Sequence, residues 1–132
     1  MPPELVPFLR WLAREPFAWG QLDCLLALGS WWEALHGVDP AAHLRGTYHD
    51  EPSCQAILAA QGHAPRIVAG IARNVGAPMT REPPRPGDAA VLRFPGTWYG
   101  AIRTPSGRWA IKSGEGLLVT RAGRPVAVWR TT

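Results

Sequence analysis

The 132-residue chain has little of several features that would point directly to a function. It has only two cysteines, Cys24 and Cys54, in a spacing that predicts neither a disulfide framework nor a zinc site. Lys112 is the only lysine, and the arginines behind the net charge of +4 are scattered along the chain. Scattered arginines do not form the basic stripe of a nucleic-acid-binding protein. We therefore expect no metal, no cofactor and no nucleic-acid partner.

Long apolar segments are also missing from the sequence. No run reaches the length of a transmembrane helix, so the sequence predicts no membrane span. The N-terminal residues 1–12 lack the basic region and the apolar run of a signal peptide. We therefore expect synthesis in the cytosol and a single domain covering residues 1–132.

Tryptophan, glycine and proline are abundant instead, with 7, 14 and 14 residues. So many indoles indicate a tightly filled small core or aromatic anchors at an interface. Three tryptophans fit core positions of predicted elements: Trp11, Trp32 and Trp109. Three others fit a core or a surface equally well: Trp31, Trp98 and Trp129.

The stretch Phe17–Gly37 carries the clearest helical period of the chain. Asp23 is a good N-cap residue, and Gly37 is a typical stop signal. Leucine, glycine and tryptophan side chains between them recur at three- and four-residue steps, namely at Leu25, Leu28, Gly29, Trp32 and Leu35. Cys24 is therefore expected in the first turn of a helix, where the macrodipole favours a thiolate.

The remaining pattern predicts helices first and strands second. Further helices are expected over 3–15, 52–61 and 66–75. The proline-rich turn Arg81–Asp88 cannot continue a helix, and no strand is expected before Pro83. Strands are expected over 89–94, 98–103, 108–112, 117–120 and 126–130, the last as an edge strand. The fold class is therefore α+β, with N-terminal helices packed on one side of a C-terminal antiparallel meander.

Two motifs of the chain resemble those of NlpC-type papain-like cysteine peptidases. Phe17-Ala18-Trp19-Gly20 precedes Asp23-Cys24, and Pro86-Gly87-Asp88 leads into the first strand. In that family an aromatic residue and a glycine precede an Asp-Cys pair, and a Gly-Asp turn opens the strand before the catalytic histidine. The resemblance implies a papain-like fold with Cys24 in the place of the nucleophile.

The chain resembles still more closely a small family of phage and prophage tail proteins related to those peptidases. The additional motifs are Gly37-Val38-Asp39-Pro40, Arg45-Gly46-Thr47-Tyr48 and Ala127-Val128-Trp129-Arg130. This resemblance implies a component of a tail tip or baseplate, located in the virion and assembled in the cytoplasm of the bacterial host. Its partners would be hub and distal tail proteins, with peptidoglycan as a further one.

The catalytic histidine of the peptidases has no counterpart at the matching place. Trp98 stands there, or Tyr99 if the register shifts by one residue. Neither an indole nor a phenol takes a proton from a thiol near neutral pH. Lys112 occupies the place of the third triad residue. We call Trp98, Tyr99 and Lys112 the degenerate triad positions, and without a base Cys24 would lose most of its activation.

Another histidine would have to replace the missing base. His36 is expected about three helical turns from Cys24, which is too far. His43, His49 and His63 are expected in loops of the helical half, and we interpret them as solvated loop residues. Cys24 itself is interpreted as a small buried side chain, and Cys54 and Asp23 as core packing and a helix cap.

Two functions of different classes follow from this reading. The first is a structural tail-tip component built on a degenerate peptidase fold, and it is the one we favour. The second is an active cell-wall endopeptidase acting during phage entry, with Cys24 as nucleophile. The two functions are distinguished by whether an imidazole lies within about 4 Å of the Cys24 sulfur, as the active peptidase would require. A small-molecule binder that uses the old cleft is a third reading.

Exposed aromatic residues and arginine are the usual carriers of interface energy. Trp98 and Tyr99 lie where a peptidase would open its cleft, so we expect them to plug the cleft or to contact a tail protein. Trp129 and Arg130 end the predicted edge strand and form the second candidate contact.

Overall fold

The computed structural model describes residues 1–132. Four helices come first: α1 (Leu5–Arg14), α2 (Leu26–His36), α3 (Glu51–Gln61) and α4 (His63–Asn74). Six strands follow: β1 (Met79–Thr80), β2 (Ala89–Phe94), β3 (Thr97–Arg103), β4 (Trp109–Ser113), β5 (Gly116–Thr120) and β6 (Arg124–Trp129). The fold is α+β, with the helices preceding the strands, as the sequence predicts.

The boundary between α3 and α4 is tighter than the sequence predicts. A capping box starts α3, in which the Ser53 N–H donates to the Asp50 carboxylate at 2.8 Å and the Asp50 N–H donates to Ser53 Oγ at 3.2 Å. Gly62 ends α3 with φ +85°, and α4 begins at the next residue, His63. The predicted start at residue 66 is wrong because two consecutive residues with positive φ, Gly62 and His63, turn the chain without a loop.

Helix α2 begins two residues after Cys24. Cys24 nevertheless lies in the first helical turn, as predicted, because the Ala27 N–H donates to the Asp23 carbonyl oxygen four residues back, at 2.9 Å, so that Asp23 is the cap residue and Cys24 follows it directly. The Asp23 carboxylate accepts from the N–H groups of Leu25 (3.1 Å) and Leu26 (3.0 Å). Asp23 thus satisfies donors at the start of the helix, as predicted.

The sheet is antiparallel throughout, with the strand order β1-β6-β2-β3-β4-β5. Strands β2 to β5 form the predicted meander. Strand β6 instead crosses to the other side of β2, and β1 pairs with β6. Two predictions are therefore wrong: a strand precedes Pro83, and the C-terminal strand is not at an edge. Both depend on pairing between distant segments, which local periodicity does not encode.

Two apolar clusters lie on opposite faces of the sheet. The larger cluster contains the buried side chains of all four helices together with four sheet residues, Ala89, Val91, Ile102 and Trp129. The smaller cluster is made of strand residues alone: Ala90, Leu92, Ala101, Trp109, Ile111 and Val128. The helices therefore pack on one face, and the twisted sheet itself buries the other. Cys24 packs against both clusters.

The tryptophans that are buried in the core are not all those that the sequence predicts. Trp109 is buried as expected, but Trp11 is 37% exposed and Trp32 is only half-buried. Trp31 is instead the largest fully buried side chain, and its indole N–H donates to the Gly87 carbonyl at 2.8 Å. Because α2 is apolar on most of its circumference, the period does not distinguish which of two adjacent indoles points inward.

Candidate active-site cleft

A cleft of about 510 Å³ opens between the helices and the β3–β5 end of the sheet. Cys24 lines it, as do the degenerate triad positions Trp98, Tyr99 and Lys112. The cleft also contains one histidine, His63, at the start of α4. The fold therefore brings together every residue that the resemblance places in the catalytic region.

The turn that presents Cys24 is organised around the buried Asp23 carboxylate. Besides the two N–H groups of the helix start, this carboxylate accepts from the Gly20 N–H at 3.2 Å and from the Tyr48 hydroxyl. Gly20 has φ +77°, and a Cβ there would lie 1.8 Å from the Tyr48 carbonyl oxygen. Only glycine fits this position, which explains the Trp-Gly pair before the Asp-Cys pair.

The motifs that follow α2 in the sequence brace the same turn. Arg45 forms an ion pair with Asp39 at 2.6 Å and donates to Ser30 Oγ of α2 at 3.0 Å. The Arg45 guanidinium also donates to the carbonyl oxygens of Leu26 (3.3 Å) and Gln21. The GVDP and RGTY motifs are therefore a scaffold for the Cys24 turn, a role that the sequence pattern did not indicate.

The Cys24 thiol is held in its neutral form. Burial of the sulfur, reinforced by the nearby Asp23 carboxylate, raises the pKa of Cys24 from 9.0 to about 12. The Gly100 N–H opposes this shift without cancelling it, and no histidine is among the groups that act on the thiol. The arrangement differs from that of an activated nucleophile, in which a neighbouring imidazolium lowers the thiol pKa.

Trp98 and Tyr99 lie on β3 directly before Gly100, where the chain contacts the Cys24 turn. The half-buried Trp98 faces the helices, with the His63 ring 5.5 Å from its own, centroid to centroid. The Arg93 guanidinium lies 5.6 Å from the Trp98 ring centroid. Tyr99 points to the other face, is 37% exposed and packs edge-on against Phe94.

Only one of the four histidines lines the cleft. His36 Nε2 is hydrogen-bonded to the Thr131 carbonyl oxygen at 2.6 Å, and its ring stacks on Trp32. His49 is exposed beside Asp50. His63 was predicted in a loop but begins α4 with φ +71°, because the chain turns at Gly62 and at His63 itself. No local pattern around His63 indicates that this histidine faces the cleft.

Lys112 contributes to the fold of the neighbouring helix. Its ammonium group donates to the carbonyl oxygens of Leu12, at 2.7 Å, and Glu15 at the C-terminal end of α1. These carbonyls lack helical partners, so the cation caps the helix and matches its dipole. Burial lowers the pKa of Lys112, partly opposed by the Glu15 carboxylate. The Lys112 ammonium therefore points to α1, although the residue is part of the cleft lining.

The second predicted contact, Trp129 with Arg130, does not lie on an exposed edge. Trp129 is only 4% exposed, since β6 is flanked by β1 and β2. Arg130 forms ion pairs with Glu82 at 2.9 Å and with Asp88 at 3.3 Å. The edge strand on which the interpretation of these two residues as an interface rested is therefore absent, and the interface itself stays a prediction.

No group of three or more histidine, cysteine or acidic side chains is arranged to hold a metal ion. None of the four helices has both the length and the apolar character needed to cross a membrane. A family model described as "Domain of unknown function (DUF6950)" matches residues 2–131 of the chain. No curated protein and no solved structure matches the chain.

Proposed function

The chain belongs to the DUF6950 family, and we propose that it is a non-catalytic component of a phage tail tip, built on the fold of an NlpC-type papain-like peptidase. The observation that carries the loss of catalysis is that the one histidine lining the cleft, His63, packs against Trp98 with the ring centroids 5.5 Å apart, and it is not among the groups that act on the Cys24 thiol, whose pKa burial raises to about 12. Trp98 and Tyr99 occupy the strand positions where the resembling peptidases keep their base. The tail-tip location rests on the motifs shared with phage and prophage tail proteins.

The interaction surface in this proposal is the aromatic rim of the cleft. Trp98 faces into the cleft, and the adjacent Tyr99 contributes to the lining at its margin while its exposed ring is turned to the other face of β3. Rigid aromatic side chains at the mouth of a concave site are typical anchors for a partner. Hub or distal tail proteins would dock there, and peptidoglycan is a further partner of the same surface.

Purified virions provide the direct test of location and interface. We expect the chain in the tail fraction, and we expect Tyr99→Ala and Trp98→Ala to reduce its incorporation severalfold. Trp11→Ala is the matched control, because Trp11 is as exposed as Tyr99 but lies on α1 outside the cleft. A chain absent from purified particles, or equal incorporation of all three variants, would contradict the proposal.

A cell-wall peptidase is the second candidate, because His63 lines the same cleft as Cys24. In this case a movement of the α4 start would bring the imidazole to the thiol, which would then act as nucleophile. The purified chain should be assayed on peptidoglycan fragments beside Cys24→Ser and His63→Ala. We expect no hydrolysis by any of the three. Hydrolysis that disappears in both variants would establish the peptidase instead.

A further inference from the structure

The two edges of the sheet are protected to different degrees. Strand β1 at one edge has only two residues, and prolines lie on both sides of it at Pro78, Pro83 and Pro84. Strand β5 at the other edge has five residues, Gly-Leu-Leu-Val-Thr, without a charge or a proline. Natural proteins usually block edge strands with charges, prolines or short length, because an open edge pairs with other chains. Strand β5 has none of these blocks within it.

The free hydrogen-bonding groups of β5 follow from its pairing with β4. Two residues separate Ser113 from Gly116, so this pair closes the hairpin as a hydrogen-bonded pair, and the pairs alternate from there. Leu117 and Val119 therefore point their N–H and C=O groups away from β4. No turn or loop backbone group elsewhere in the chain bonds to either residue.

Two apolar side chains of this edge and one charge on each side of it are exposed. Leu118 and Val119 are 49% and 44% exposed. Glu115 precedes the strand and Arg121 follows it, both are exposed, and neither takes part in an ion pair of the chain. An acidic residue on one side of an apolar strand and a basic residue on the other is a pattern that complements itself in antiparallel pairing.

We propose that two copies of the chain pair through β5, antiparallel and about a two-fold axis at Leu118. In this register Leu117 of one copy lies opposite Val119 of the other, so the outward N–H and C=O groups of both meet. Glu115 in the turn before β5 and Arg121 directly after β5 then lie at the ends of the paired segment, so that each Glu115 comes next to Arg121 of the second copy, twice by symmetry. The pairing is isologous and continues the six-stranded sheet into one of twice its width.

The charges select this register over its neighbours. An axis at Leu117 would place Glu115 opposite Val119, and an axis at Val119 would place Arg121 opposite Leu117. Either shift keeps the backbone bonds but places no charge opposite one of the other sign. Only the axis at Leu118 combines the backbone bonds with both ion pairs.

Sedimentation velocity of the full chain over a wide concentration range tests the dimer. We expect a monomer–dimer equilibrium in which Val119→Pro leaves only monomer. That proline removes an outward N–H but no bond to β4, so the fold should persist, as circular dichroism would show. A chain that stays monomeric at every concentration, or a dimer that survives Val119→Pro, would overturn the proposal.

Charge reversal tests the register without altering the strand. Glu115→Arg and Arg121→Glu each create two like-charged pairs, so each should weaken the dimer about tenfold. An equimolar mixture of the two variants restores both ion pairs and should dimerise as the wild type does. Glu33→Arg, an exposed reversal on α2, is the control and should have no effect. Single variants that dimerise normally, or a mixture that stays monomeric, would refute the pairing at Leu118.

Discussion

Gly100 on β3 lies against the carbonyl group of Cys24, so closely that a Cβ at position 100 would be 2.5 Å from the Cys24 oxygen. This contact fixes the Cys24 turn to the sheet and sets the position of the thiol in the cleft. It also explains why a glycine follows the Trp-Tyr pair, since no larger residue allows the backbones to approach.

Gly100→Ala should therefore destabilise the protein. The added methyl group must displace backbone rather than a flexible side chain, and such overpacking costs about 1–3 kcal/mol in the free energy of unfolding. Urea unfolding measures the loss. Gly114→Ala is the matched control, because no atom lies within 4 Å of a Cβ built there. Equal stability of the two variants would mean that the turn moves freely away from β3.

Tyr48→Phe should destabilise the turn from its interior. The substitution removes one donor from the buried Asp23 carboxylate, and leaving a buried acceptor short of a partner costs about 1–3 kcal/mol. Tyr99→Phe, which removes a hydroxyl without a hydrogen bond, should change the unfolding free energy by less than about 0.5 kcal/mol. A Tyr48→Phe variant as stable as Tyr99→Phe would show that the hydroxyl contributes nothing to the turn.

Stability should fall in alkaline solution through Cys24. The native thiol keeps its proton up to a pKa of about 12, whereas an unperturbed thiol loses it near 9.0. Between these values the unfolded state binds fewer protons, so the free energy of unfolding decreases as pH rises from 9 upward. Cys24→Ser should flatten this part of the curve relative to the wild type.

Cys54 needs its own control in that experiment. Burial raises the pKa of Cys54 to about 11, so Cys54→Ser should also flatten the alkaline decline, but by less. A Cys24→Ser curve parallel to that of the wild type above pH 9 would contradict the assignment of a neutral buried thiol.

Trp129→Ala should unfold or strongly destabilise the isolated domain. The buried indole belongs to the larger apolar cluster, and truncating such a side chain costs about 3–5 kcal/mol. Tyr99→Ala, which truncates a more exposed ring, should cost less than about 1 kcal/mol. Thermal unfolding distinguishes the two. A stable Trp129→Ala domain would support the prediction that this residue acts at an interface.

The sequence by itself determined the four helices, the five longer strands and their order, because the relevant signals are local, whereas the two-residue β1 had no such signal. Strand β2 has the predicted bounds 89–94, since a Gly-Asp turn opens it and Pro95-Gly96 closes it. Asp23 was recognised as a cap from its place before an apolar period, and the α+β class followed from the change of period at the proline-rich turn.

Only the tertiary structure decided which elements meet. The placement of β6 between β1 and β2 buries Trp129, and the turn at Gly62 brings His63 into the cleft. The pKa of Cys24 is likewise set by Asp23, Gly100 and the apolar clusters around the sulfur, which converge from separate parts of the chain. Strand pairing and desolvation depend on contacts between segments far apart in sequence, and local residue patterns do not specify those contacts.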